Sequence, residues 1–149
     1  MEEELLQTEK MTMKLNYPVF VLKERDKMIY VFFNEKDLKR TNTELLERNV
    51  FKDVTLIDAE GIFYKVKNTF KVKYIGIKGF SLLKKGRQIL IDFELEKSPL
   101  SIEIKEFKQI IIDRIESNKN FWQSAWNITE LTERIKRSYS YTEIAELIK

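Results

Sequence analysis

The sequence predicts an α+β fold: an antiparallel, meander-like β-sheet of about five to six strands with C-terminal helices packed on one face. Two observations carry this. Between residues 17 and 96, apolar and polar side chains repeatedly alternate with period two, as in strands with one buried and one solvated face. Beyond Ser98-Pro99 the period lengthens to helical spacing, so strands come first and helices last. The 149 residues suffice for one hydrophobic core and are too few to expect two, and four Gly with two Pro leave little room for linkers. Residues 1–16 are read as a polar N-terminal arm or short helix, and 17–149 as a single α+β domain.

Each element has its own local reason. "YPVFVLK" (Tyr17 to Lys23) and "MIYVFF" (Met28 to Phe33) are β-branched and aromatic runs separated by "ERDK", which predicts a hairpin. "NEKDLKRTNTELLERN" offers Asn34 as an N-cap with Asp37 at N3, and Leu38, Leu45 and Leu46 as an apolar stripe. That predicts a helix, broken near Thr41–Thr43. "VTLID" then leads into the turn Asp58-Ala59-Glu60-Gly61, where Gly61 supplies the permissive backbone. In "IFYKVK" and "FKVKY", Ile62, Tyr64, Val66, Phe70, Val72 and Tyr74 alternate with polar positions, and Asn68-Thr69 is the expected tight turn between two strands. "RQILIDFELE" places Ile89, Ile91, Phe93 and Leu95 on one face. Ile104, Phe107, Ile111 and Ile115 predict a helix from Ile102 to Ser117. "NKNFWQSAWN" is a connector. Asn127 with Glu130, and Ser140 with Glu143, are capping boxes that open two further helices.

Composition excludes several chemistries. Zero histidines and zero cysteines rule out Ser-His-Asp and Cys-His catalysis, disulfides and the usual zinc sites. No cofactor or metal is expected, and any metal would have to be a hard, oxygen-bound ion such as magnesium. No apolar run approaches the roughly 20 residues of a membrane span. The acidic opening "MEEELLQTEKMTMKL" does not read as a secretory signal, so the cytoplasm is the expected compartment. The net charge of +3 comprises +8 between Gly61 and Ile91 and −5 elsewhere, a split that can steer a charged partner.

Four constellations are candidates for function. If the apolar side of residues 62–74 builds the core, Lys65, Lys67, Lys71 and Lys73 share the open face. They then form a solvated face, a docking face for an acidic protein, or a nucleic-acid site. "IGIKG" (Ile75 to Gly79) has the GxxG spacing of RNA-binding loops, but a strand precedes it, and a bend permitted by Gly76 and Gly79 is the simpler reading. Asp92 followed by Glu103-Ile104-Lys105 has the spacing of a magnesium nuclease core. That site needs Glu103 and Lys105 on one strand face, whereas Ile104 belongs to a helical stripe. Finally Phe121, Trp122 and Trp126 are either interface anchors or side chains pinning the connector to the core.

The order "YPVFVLK", "DAEGIFYKV", "ILIDFELE", "IKEFKQIIIDRI", "FWQSAW", "SYTEIAELI" resembles the small α+β immunity proteins of bacterial polymorphic and contact-dependent toxin systems, over most of residues 17–149. The resemblance implies a non-catalytic protein that binds and blocks one toxin domain, with Lys65, Lys67, Lys71, Lys73, Trp122 and Trp126 as the partner-binding candidates. Nucleic-acid binding through the lysine face is the alternative, and a magnesium-dependent nuclease the remote one. No catalytic residue and no membrane association is expected.

Overall fold

A computed structural model describes residues 14–42, 45, 48, 50–74 and 88–149 of the chain. The first hairpin pairs β1 (Val19–Lys23) with β2 (Ile29–Phe32). Its turn is closed by the Met28 N–H donating to Asp26 Oδ1 at 2.9 Å, with Lys27 in the left-handed region at φ 56. A single helical turn, α1 (Glu35–Leu38), follows, capped by Asn34, whose Oδ1 accepts from the Asp37 N–H at 2.8 Å. Next come β3 (Arg40–Asn42), β4 (Val54–Ile57), β5 (Ile62–Tyr74) and β6 (Gln88–Ser101). The helices α2 (Ile104–Ser117), α3 (Lys119–Trp122), α4 (Ile128–Arg137) and α5 (Tyr141–Ile148) complete the chain. The six strands form one antiparallel sheet in the order β2-β1-β4-β5-β6-β3, so the α+β architecture with its meander-like sheet is as expected.

β1 is apolar at nearly every position because both of its faces are buried. Phe20 and Leu22 point to one side, where Ile29 and Ile57 join them beneath Phe107, Ile111 and Ile115 of α2, Leu131 and Ile135 of α4, and Ile144 of α5. Val19 and Val21 point to the other side and pack with Leu56, Tyr64, Ile89, Ile91 and Phe93. Ile89 and Ile91 belong to β6, three places from β1 in the sheet, so the sheet must curl back on itself to bring them together. One core therefore lies between sheet and helices, and a second lies within the curl.

Three contacts tie the helices to the sheet and to one another. The Phe107 ring meets Phe20 edge-on at 4.6 Å and the Tyr141 ring at 4.7 Å. The Tyr141 hydroxyl donates to the Ile102 carbonyl at 2.8 Å, tying α5 to the segment that enters α2. The β4–β5 turn forms around Asp58, a fully buried carboxylate that accepts from the N–H groups of Glu60 at 2.9 Å and Ile62 at 3.1 Å. Gly61 closes that turn at φ +79, as its sequence context requires.

Three expectations are corrected. Asn68-Thr69 is not a turn: β5 runs unbroken for 13 residues, because the 14-residue β6 offers it a partner along its whole length. The helix expected to break near Thr41–Thr43 stops earlier, and residues 40–42 are a strand. There Thr41, β-branched and buried, pairs with Ile89 at the sheet edge, where packing outweighs the weak helical pattern. β6 also continues through Pro99 to Ser101, and the register shift between Ile62 and Tyr64 accommodates the proline. Helix α2 accordingly begins at Ile104, two residues later than its periodicity suggested.

Candidate functional site

The geometry of β5 divides the lysine row between the two faces of the sheet. Lys65 stands opposite Glu96 on the outward side of the β5–β6 ladder, on the same face as Phe63, which packs beneath the helices. Val66 pairs with Leu95 and Asn68 with Glu94, so Lys67 is an extra, bulged residue, and alternation reverses beyond it. Thr69 then faces the buried Phe93, Phe70 faces Asp92, and Lys71 faces the fully buried Ile91. Directly opposed residues share a face, so Lys71 lies on the opposite side of the sheet from Lys65. Phe70 and Val72, expected in the core, are 47% and 51% exposed. The backbone of Lys73 pairs with that of Leu90 beyond a second register shift. Acid interleaves what remains: the Lys67 ammonium is 3.9 Å from the Glu96 carboxylate, both largely exposed. The "IGIKG" bend lies outside the described residues.

The nuclease spacing is likewise dispersed. Glu103 is the N-cap of α2 and Lys105 lies in its first turn, so the strand face that would hold them together is not formed. Among the described residues, no cluster of three or more acidic side chains is arranged to hold a metal ion.

The aromatic connector behaves differently. It is pinned to the first hairpin by Asn118, whose amide donates to the Asp26 carbonyl at 3.1 Å. Next to it, the Arg114 guanidinium donates to the Lys23 carbonyl at 2.8 Å and meets Glu24 at 3.3 Å. Burial lowers the Arg114 pKa, with the Glu24 and Asp26 carboxylates acting in the opposite direction. These bonds fix the hairpin against α2, and so fix β2 beside the connector.

Between β2 and the connector runs a groove of about 570 Å³. Met28 through Phe33 line it without a gap. Successive strand residues point to opposite faces, so a wall that includes all four residues of β2 is the strand's edge rather than one of its faces. The other wall is Phe121, Trp122 and Trp126. Trp122 is only 6% exposed and belongs to the core between sheet and helices, whereas Trp126 is half-buried and Phe121 is 55% exposed. Cations lie over three of the surrounding rings: Lys23 over Tyr30 at 5.3 Å, Arg134 over Trp126 at 5.6 Å and Lys149 over Phe33 at 5.9 Å. Of the two tryptophans singled out in the sequence, Trp122 acts as foundation and Trp126 as surface. Tyr30 and Phe33 escaped sequence reasoning. Their signal was a strand whose aromatics occupy both phases of the alternation, which one core face cannot absorb.

A second cavity, of about 590 Å³, holds Tyr17, Glu35, Lys39 and Asp92. Lys39 Nζ lies 2.6 Å from Glu35 and 3.0 Å from Asp92. Burial alone would lower the Lys39 pKa, but hydrogen bonds and charge from the two carboxylates more than offset it, and the net shift is upward. The Tyr17 hydroxyl is raised well above its ordinary value, first by burial and then by Glu35 and Asp92. With its cation already held by two carboxylates, this pocket is an ion-paired strut rather than an open recognition site.

Fold and groove together define an α+β protein in which the edge of β2, unpaired on one side among the described residues, is walled by aromatic side chains. No protein-family model, curated protein or solved structure matches the chain.

Proposed function

We propose that this chain is a non-catalytic, cytoplasmic protein-binding module of the immunity type, which binds a toxin domain and blocks it by occlusion. The observation that supports the reading is the groove along β2, whose wall combines an open strand edge with Tyr30, Phe121 and Trp126. Exposed aromatics around a rigid, well-anchored strand are what protein interfaces use as hot spots. The division of the lysines between two faces, with Glu96 opposite Lys65, favours a protein partner over a phosphate backbone, which calls for a continuous run of cations.

The test is co-expression with the C-terminal domain of a large toxin encoded beside the gene. Restored growth of cells making that toxin, together with co-purification of the two proteins, is the expected result. Failure of both would overturn the reading.

A further inference from the structure

We infer that the open edge of β2 takes up an extended apolar segment of the protein partner, flanked by carboxylates, as a seventh strand of the sheet. This rests on the protein-binding reading above and specifies how the partner docks.

The two ends of the sheet are treated differently. At one end, β3 is three residues long and polar, Arg40-Thr41-Asn42, a short, charged edge of the kind that discourages further pairing. At the other end, β2 reads Ile29-Tyr30-Val31-Phe32, with neither charge nor proline to block a newcomer. Among the described residues it pairs only with β1. No described strand uses its outward N–H and C=O groups, and an incoming backbone there would gain main-chain hydrogen bonds while its alternate side chains select the sequence.

The groove supplies the rest of the recognition. Phe121 and Trp126 form an apolar wall facing the strand edge, so the newcomer's side chains on that side are apolar. Among the described lining residues, Lys149 is the one charged side chain, and none is Asp or Glu. Lys23 adds positive charge over Tyr30, whereas Arg134 over Trp126 and Lys149 at the groove are each paired with a carboxylate of their own helix or its end, Glu130 and Glu146. An acidic flank on the incoming segment matches this, and a basic flank is opposed. Four residues of β2, at about 3.4 Å rise each, set the paired length at roughly 14 Å.

The probe is a library of random linear dodecapeptides displayed on phage and selected on the immobilised full chain. The expected winners carry four to six alternating apolar residues next to Asp or Glu. A synthetic winner should shift the amide resonances of residues 29–33 and the Trp126 indole. Its backbone N-methylated form, which keeps every side chain but cannot donate, should lose binding at least about tenfold. Lys149→Gln should weaken an acidic winner by roughly two- to fivefold, as an exposed ion pair allows. The inference is overturned if selection yields nothing or basic sequences, if the methylated peptide binds equally well, or if the shifts lie away from β2. It is also overturned if sedimentation shows that the chain dimerises through β2 and the peptide merely dissolves the dimer. The toxin-domain experiment separates the two proposals. A bound toxin domain that the peptide cannot displace leaves the binding function standing and removes strand addition. Peptide capture without any toxin binding does the reverse.

Discussion

Lys71 faces Ile91 across the β5–β6 ladder, a solvent-exposed lysine directly opposite a fully buried isoleucine. Strict alternation from Lys65 would have put Lys71 on the outward side, and the extra residue Lys67 is what reverses it. The outward side near the bulge is left with Lys65 and Lys67 set against Glu96, an exposed, mixed-charge ribbon. Exposed pairs of this kind are worth about 0–1 kcal/mol. Lys65→Ala and Lys67→Ala are therefore expected to change stability by less than about 1 kcal/mol in urea titrations. A fluorescent single-stranded oligonucleotide is expected to show no binding to the native protein at low salt.

The same bulge shows where sequence reading reaches its limit. Alternation identified the apolar strands because each residue's neighbours two positions away report the same face. It could not identify a one-residue slip, since "YKVKNTFKVK" alternates equally well as two short strands or as one bulged strand. The deciding fact is the length of β6, which lies 14 or more residues away in sequence. Asn34, Asn127 and Ser140 were legible as caps because capping is local, and each accepts the expected backbone N–H. The site was half legible. Trp122 and Trp126 stand out by residue type, but their meeting with β2 depends on a tertiary contact through Asn118 and Arg114 that no local pattern encodes.

Gly61 is expected to resist substitution. A Cβ there would overlap the Ile102 carbonyl oxygen and the Tyr141 hydroxyl, and its φ of +79 disfavours any L side chain. The left-handed backbone alone costs roughly 1–2 kcal/mol for a non-glycine residue, so Gly61→Ala should lose at least that much in a denaturant titration. Tyr141→Phe, which removes only the hydroxyl bonded to Ile102, should lose about 1 kcal/mol. A Gly61→Ala protein of unchanged stability would mean that this turn is not closed as described.

Alkaline pH should weaken the fold. Burial, followed by neighbouring carboxylates, raises the pKa of Tyr17, Tyr64 and Tyr141, and the two carboxylates raise that of Lys39 against the effect of burial. A group whose folded pKa lies above its unfolded value keeps its proton longer when folded. Its contribution to stability is thus complete below the unfolded pKa, near 10 for Tyr and Lys, and is lost as pH rises through the folded pKa. With no histidine in the chain, the urea midpoint is expected to be level from about pH 6 to 9 and to fall above about pH 10. Lys39→Met should flatten part of that fall.

Trp122 and Trp126 separate folding from binding, four residues apart in the same connector. Trp122 is buried against the core between sheet and helices, and Phe121 meets it edge-on at 5.4 Å. Removing its ring leaves a cavity, and Trp122→Ala should cost about 3–5 kcal/mol. Its indole N–H has no acceptor among the described residues, so Trp122→Phe removes a buried, unsatisfied donor while keeping most of the ring. That variant should be markedly more stable than Trp122→Ala. Trp126 is only half-buried, with the Arg134 guanidinium above it, so Trp126→Ala should cost stability much less. As the outer wall of the groove it should instead carry the binding, with a loss of 2 kcal/mol or more if it is a hot spot, about thirtyfold in Kd. Titration calorimetry with the toxin domain, alongside urea unfolding of each variant, measures both axes. If Trp126→Ala binds the toxin domain as the native chain does, the groove is not the docking surface.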